Sequence, residues 1–179
     1  MSEEEENIEI ARMGHPVLMG VAKEVIDIQS KEVQEVIDDM ITAHLQQGGV
    51  GIAAPQIFIP LRIVIVQVTP LCALSNGIPE TPMMILINPV MEVLDESKQV
   101  DWEGCLSVPG MYGEVPRATK VSYTAYDREG HAVKGVLEGY IARILQHEMD
   151  HINGVLYPMR VEDLKRFGYL DEVREFLLG

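Results

Sequence analysis

The segment "ILQHEMDHING", residues 144–154, constrains the fold most, because it carries two histidines four residues apart with a glutamate after the first. On an α-helix, residues four apart lie one turn above the other on the same face. His147 and His151 would present two imidazoles to one point, with Glu148 within reach of water at a metal held there. This is the H-E-x-x-H arrangement of two metal ligands and a general base. Taken alone, the segment also fits a helix with two surface histidines and a chance glutamate.

Hydrophobic periodicity predicts a helix around this motif and a second helix upstream. The motif helix is predicted over residues 139–153. Residues 31–47 place their apolar side chains at helical spacing, with Ser30 as the N-cap and Gly48 at the end. His44 falls on the apolar side of this upstream helix, which favours a packed histidine over a metal ligand.

The sequence between the two helices predicts mainly β-structure. Residues 61–127 are rich in β-branched and apolar residues and are interrupted by Pro, Gly and Asn. The segment "DREGH" (127–131) predicts a hairpin turn before a strand at 132–137, whereas 69–82 predicts an exposed, turn-rich loop. Cys72 lies in that loop, and the sequence gives it no functional role.

The tail predicts a short turn near 161–167 and a last helix near 170–178. No internal repeat or second domain is visible in the sequence. The order of helix, many strands and helix predicts an α+β fold, with antiparallel sheets packed around a central metal-binding helix. We expect a single catalytic domain over residues 1–179.

Composition argues against several classes of partner. The chain carries a net charge of −14, and a surface this acidic repels phosphates, which argues against unaided binding to nucleic acid or to anionic membranes. The longest apolar runs have strand length, far below the roughly 18 residues of a membrane-spanning helix. The N-terminus lacks the features of a secretory or mitochondrial targeting segment, and two cysteines form no disulfide framework. These observations favour the cytoplasm.

A catalytic metal site with two histidines usually needs a third protein ligand. Cys105 is a candidate because "EGCLSVPG" (103–110) places it in a glycine-flanked turn; the alternative is a small buried side chain. "GGVGIAAPQ" (48–56) would let a peptide lie close to its backbone and would present Gln56 to it, or would form a tight turn beside a buried glutamine. The carboxylates of the tail are predicted to lie on solvated helix faces: Glu162, Asp163, Asp171, Glu172 and Glu175.

Three segments together resemble the motifs of the peptide deformylase family. "GVGIAAPQ", "EGCLSVPG" and "QHEMDHING" occur in that family's order, and the resemblance extends over most of the chain. It implies a hydrolase that removes the formyl group from the N-terminal formylmethionine of newly made proteins and releases formate. It also implies one metal ion per chain, typically Fe²⁺, although Zn²⁺, Ni²⁺ or Co²⁺ can occupy the site.

The resemblance assigns roles to individual residues of this sequence. Cys105, His147 and His151 would ligate the metal, and Glu148 would be the general acid/base. The side chain of Gln56, together with the backbone N–H of Leu106, would bind the oxyanion. The carbonyl of Gly51 would accept the amide N–H of the substrate.

Helix spacing predicts the pocket that receives the methionine side chain. Ile144 and Tyr140 lie three and seven residues before His147 on the same helix face, and we expect Val50 to face them across the site. Such an apolar slot fits a long, flexible, unbranched side chain. In the segment "MYG" (111–113), Tyr112 stands where some members have an arginine that helps bind the peptide, and we expect the tyrosine to take over this contact.

Two further expectations concern support and partners. Glu103 and Arg117 are predicted to form an ion pair beside the site, with a plain surface pair as the alternative. Some members carry a basic C-terminal helix that docks on the ribosome, but residues 161–179 contain three basic and five acidic residues, a net charge of −2. This tail argues against strong ribosome docking and leaves transient proximity open.

Two alternatives to this interpretation differ in chemistry. A metallopeptidase with the same helix would need a cleft that accepts the chain on both sides of the scissile bond. A non-enzymatic relic would have kept the fold and lost the metal. Against this alternative, every residue that the family's metal binding and catalysis require is present in this sequence.

Overall fold

The structure is a computed structural model that describes residues 7–177, with side chains described to residue 175. The described helices are α1 (Lys31–Gln47), α2 (Pro70–Asn76), α3 (Tyr140–Ile152) and α4 (Leu170–Leu177). The strands are β1 (Gly51–Ala53), β2 (Ile63–Val66), β3 (Met84–Cys105), β4 (Val108–Tyr126), β5 (Ala132–Glu138) and β6 (Phe167–Tyr169). Residue 178 of the expected last helix lies outside the described range.

Helix α1 begins and ends where the sequence predicts. The Ser30 hydroxyl accepts a hydrogen bond from the Val33 N–H at 3.3 Å, which satisfies one of the free donors of the first turn. Gly48 ends the helix with a φ of 65°, a left-handed conformation that glycine adopts without strain. His44 is buried, as expected, and its Nε2 lies 3.1 Å from Oε1 of Gln67.

The six strands form one antiparallel sheet, which confirms the expected α+β class. The strand order is β1-β2-β3-β4-β5, and β6 pairs with the beginning of β4. The turn predicted at 127–131 joins β4 to β5, so that Tyr126 faces Ala132.

Helix α3 contacts four of these strands, β1, β2, β4 and β5, which makes it the central element of the fold. Leu145 and Ile152 of this helix are fully buried in the largest hydrophobic cluster. Burial of such a side chain stabilises the fold by about 1.5–3 kcal/mol. This packing fixes the orientation of α3, and with it the direction of its polar face.

The structure corrects one local prediction and adds detail to the β-rich region. The segment 69–82 is not a loop throughout, because it contains α2: the Thr69 hydroxyl caps the Cys72 N–H at 3.2 Å, and Gly77 ends the helix with a φ of 63°. Within the β-rich segment 61–127, residues 84–105 form one long strand, β3, which pairs with β4 through several register shifts. Strand β6 was not predicted, since its three residues gain their conformation only by pairing with β4. Among the helices described, none combines the length and apolarity needed to cross a membrane.

Candidate metal centre

Cys105, His147 and His151 come together at the base of a cleft. One ligand atom from each of them lies within 4.8 Å of the other two. Sγ of Cys105 is 3.2 Å from Nε2 of His151, and the two imidazole rings have centroids 5.0 Å apart. The structure therefore gathers the three side chains that the sequence singled out as metal ligands.

Two elements deliver these three side chains. Helix α3 stacks His147 and His151 on successive turns of one face. Cys105 is the last residue of β3, where the tight link to β4 turns the chain back, and the backbone N–H of Ser107 donates to its Sγ at 3.4 Å. The helix is packed on the sheet, so the histidines and the cysteine are held by separate but mutually anchored elements.

The surroundings of Cys105 favour its thiolate. Burial alone would raise the pKa of this thiol, but the neighbouring imidazoles of His151 and His147 lower the pKa well below its usual value. A thiolate is the form of cysteine that binds metals. The electrostatics of the site therefore favour the thiolate form of Cys105, which is the form that binds a metal cation.

Glu103 orients the first histidine. Its Oε2 lies 2.9 Å from Nδ1 of His147, which leaves Nε2 of that ring for a metal. Arg117 binds Glu103 through two bonds of 2.9 Å and Asp150 through one of 2.6 Å, and both Glu103 and Arg117 are 6% exposed. The predicted ion pair is therefore confirmed, and it is buried rather than on the surface. Burial opposes the charge, but the Arg117 and His147 contacts lower the pKa of Glu103 well below its usual range.

Glu148 lies beside these three side chains and is not part of the group. Burial raises its pKa to about 7, the range in which a carboxyl group both accepts and releases protons near neutral pH. Its Oε2 is buried and has no hydrogen-bond partner among the described residues. Gly51 lies directly against Glu148: a Cβ added to Gly51 would come within 2.9 Å of Cδ of Glu148. The glycine therefore leaves the space that the carboxylate occupies.

Gln56 is fixed with its amide nitrogen toward the site. Its Oε1 accepts from the backbone N–H of Ala53 at 2.8 Å, and the residue is 1% exposed. Nε2 lies 3.6 Å from Sγ of Cys105 and 3.3 Å from Oγ of Ser107. Its donor is therefore aimed at the space beside the sulfur.

A cleft of about 700 Å³ opens over these groups. It is lined by the remaining residues that the sequence singled out: Val50, Gly51, Leu106, Tyr112, Tyr140 and Ile144. The Tyr112 ring packs flat against Gly104, where a Cβ would meet the ring at 2.7 Å. The cleft wall thus carries apolar side chains next to backbone that a peptide can approach closely.

The donor set fits a divalent metal. One thiolate and two imidazoles would supply three ligands, the number typical of catalytic sites that keep a position for water or substrate. A tetrahedral ion with bonds of about 2.0–2.3 Å separates its ligands by about 3.3–3.8 Å, and the distance of 3.2 Å from Cys105 to His151 approaches that range.

Sequence reasoning missed much of the polar network behind the site. Arg143 donates to Glu103 at 2.8 Å, and Arg160 binds Asp150 through bonds of 2.7 and 3.2 Å. One signal was available, because Arg143 lies four residues before His147 and thus on the buried face of the same helix. A buried cation at that position requires a carboxylate partner.

Known proteins of one family are similar to this chain. The sequence model of the family described as polypeptide deformylase matches residues 8–167. Peptide deformylase 2 of Ralstonia nicotianae is 44% identical over 162 residues, which cover 90% of this chain and 91% of that protein. Peptide deformylase 1 of Nitrosomonas europaea is 42% identical over 164 residues, with 90% and 92% covered.

Solved structures give the same result. A class I type b peptide deformylase from Acinetobacter baumannii has a TM-score of 0.80 and 34% identity, over 87% of this chain and 99% of that one. A peptide deformylase from Synechococcus elongatus, solved in complex with actinonin, has a TM-score of 0.78 and 33% identity, over 94% and 85%. The chain therefore belongs to the polypeptide deformylase family.

Proposed function

We propose that Cys105, His147 and His151 hold one metal ion, and that Glu148 moves the protons of the deformylation reaction. The observation that carries this proposal is the meeting of the three ligand atoms within 4.8 Å beside a buried carboxylate with a raised pKa. As a member of its family, the chain is a hydrolase that removes the formyl group from the N-terminus of nascent proteins, and it depends on a metal cofactor.

The reaction adds water to the formyl carbon, breaks the C–N bond, and releases formate and a free amine. A bound divalent metal supplies Lewis acidity and lowers the pKa of water toward 7. Glu148 takes the proton that water loses and delivers it to the leaving nitrogen. Its pKa near 7 suits both steps, since a general acid/base works best when its pKa lies close to the working pH.

The formyl oxygen gains negative charge as water adds, and this charge needs donors. We assign that role to Nε2 of Gln56 and to the backbone N–H of Leu106. The bond from Ala53 fixes the Gln56 amide before substrate arrives, so no reorganisation is needed during the reaction. Loss of one such donor typically costs about 3–4 kcal/mol of transition-state stabilisation.

The substrate peptide would lie along the edge of β1. This strand is at the end of the sheet and begins at Gly51, whose carbonyl would accept the amide N–H of the substrate. The methionine side chain would enter the cleft between Val50, Tyr140 and Ile144. Tyr112 would contact the peptide beyond the methionine, next to Gly104.

We further propose Fe²⁺ as the native ion, with Zn²⁺, Ni²⁺ or Co²⁺ able to occupy the same ligands. A thiolate with two imidazoles suits these borderline-soft ions. We place the enzyme in the cytoplasm, as a single catalytic domain over residues 1–179, because its substrates emerge there from ribosomes. Proximity to the ribosome would be transient, since the described part of the tail is acidic.

The test is a formate-release assay on formyl-Met peptides, with protein prepared anaerobically with iron and aerobically. Acetyl-Met peptides and internal peptide bonds serve as controls. The proposal predicts formate from the formyl substrates alone, and loss of this activity with loss of metal. Cleavage of internal bonds would favour a metallopeptidase instead.

A further inference from the structure

Arg143 lies behind the metal centre, one helical turn before His147 on α3, and it is 6% exposed. Its guanidinium donates to Oε1 of Glu103 at 2.8 Å, to the carbonyl of Val115 at 2.8 Å and to the carbonyl of Gln99 at 2.6 Å. Arg143 thereby links helix α3 to both strands of the β3–β4 hairpin.

These acceptors lie on both strands of the hairpin, beside the same strand pair. Val100 in β3 is opposite Pro116 in β4. Gln99 and Val115 are the chain neighbours of this pair. Because the guanidinium donates to two main-chain carbonyls, its own position is fixed by backbone rather than by mobile side chains.

The Glu103 carboxylate is held from two directions. Arg117, which belongs to β4, donates two hydrogen bonds to it, and Arg143 donates one from helix α3, which also carries His147. If Arg117 alone held the carboxylate, Glu103 and Arg117 could shift together relative to helix α3. The bond from Arg143 ties the carboxylate to α3, so Glu103 and His147 keep their relative orientation.

We propose that Arg143 is a positioning residue that acts through Glu103 to set the orientation of the His147 ring. The inference rests on the proposed role of His147 as a ligand. Arg143 would favour metal binding through the orientation of His147 and not through its charge, because another positive charge near the site opposes the binding of a metal cation. Partners that orient a ligating histidine typically change metal affinity by about 10- to 100-fold when they are lost.

The decisive variant is Arg143→Lys, which retains the charge and loses the planar fork. Metal affinity is measured by chelator competition with Zn²⁺, and the absorption bands of the Co²⁺-loaded protein report ligand geometry. We expect Arg143→Lys to bind Zn²⁺ about 10-fold more weakly or worse and to shift the Co²⁺ bands. Arg143→Gln, which is shorter and neutral, should behave the same way and replaces the lysine variant if that protein fails to fold.

The matched control is Arg160→Lys. Arg160 belongs to the same ion network, but it binds Asp150 and is partly exposed. We expect Arg160→Lys to keep the affinity for Zn²⁺ and the Co²⁺ spectrum of the parent protein. Equal losses in both variants would indicate a general loss of packing and would overturn the proposal.

A double-mutant cycle separates positioning from general structural damage. In a Glu103→Gln background, Arg143→Lys should change Zn²⁺ affinity by less than about twofold, since its effect passes through the carboxylate. Additive losses, or an Arg143→Lys protein with parental affinity, would overturn the inference while leaving the proposed function intact. A parent protein that binds no metal and releases no formate would instead overturn the proposed function.

Discussion

Replacing Gly51 by alanine would test how the glycine segment and the Glu148 carboxylate depend on each other. The added Cβ would come within 2.9 Å of Cδ and 3.0 Å of Cγ of Glu148, and it would overlap Oε1. The φ of Gly51 is not in the left-handed region, so an alanine at this position would be disfavoured by its side-chain contacts and not by its backbone conformation. Because Glu148 is 4% exposed and packed on α3, the carboxylate has little room to retreat.

The size of the effect follows from the distances. Carbon atoms in ordinary contact lie about 3.5–4.0 Å apart, so the carboxylate would have to move by about 0.5–1 Å. A misplacement of about 1 Å can reduce turnover by about 10²-fold, and overpacking typically destabilises a fold by about 1–3 kcal/mol. We therefore expect Gly51→Ala to lose about 10²-fold in kcat while it keeps one metal per chain.

Gly49→Ala is the matched control in the same glycine segment. There the Cβ would meet only ordinary contacts, the nearest being the Gly51 carbonyl oxygen at 3.5 Å. Both variants are assayed for formate release, metal content and thermal unfolding. A Gly51→Ala enzyme with parental kcat, or equal losses in both variants, would refute the reasoning that Gly51 makes room for Glu148.

Four further predictions concern Glu148, Arg117 and the side-chain pocket. Glu148→Ala should keep its metal, measured by elemental analysis, and lose about 10²- to 10⁴-fold in kcat as a general acid/base is removed; an active variant would contradict this role. Arg117→Met should lower the free energy of unfolding by about 3–5 kcal/mol, measured by urea titration, because it removes the buried cation that bridges the carboxylates of Glu103 and Asp150. Formyl-norleucine peptides should rival formyl-Met peptides in kcat/KM, and each missing methylene should cost about 0.8 kcal/mol. Ile144→Asp should depress kcat/KM for formyl-Met and spare the metal, and equal rates for formyl-Ala and formyl-Met would show that no such pocket selects the substrate.

The helices illustrate what local sequence determines. Ser30, Gly48 and the apolar spacing between them predict α1 fully, because caps and periodicity act within one element. Helix α2 carries similar signals in Thr69, Pro70 and Gly77, but its seven residues are too short to show an apolar period. Strand β6 has no local signal and forms only through pairing with a distant segment.

The residues of the site also differ in whether the sequence predicts them. The spacing of His147 and His151 predicts two ligands on one helix face, and the resemblance to a known family supplies Cys105 and Gln56. The sequence predicted the Glu103–Arg117 ion pair but not the other contacts of this network that join distant parts of the chain. Arg143 is the clearest case, because its role depends on carbonyls of β3 and β4 that approach α3 only in the folded protein.

Metal content and formate release, measured on the same preparations of the parent protein and of Cys105→Ala, test most directly whether Cys105, His147 and His151 hold a catalytic metal. We expect one metal per chain and formate release for the parent. Cys105→Ala lacks the Sγ that lies beside His151 in the parent, so metal and activity should disappear together. Full, tightly bound metal in Cys105→Ala, or undiminished formate release from metal-free parent protein, would show that the proposed metal centre is wrong.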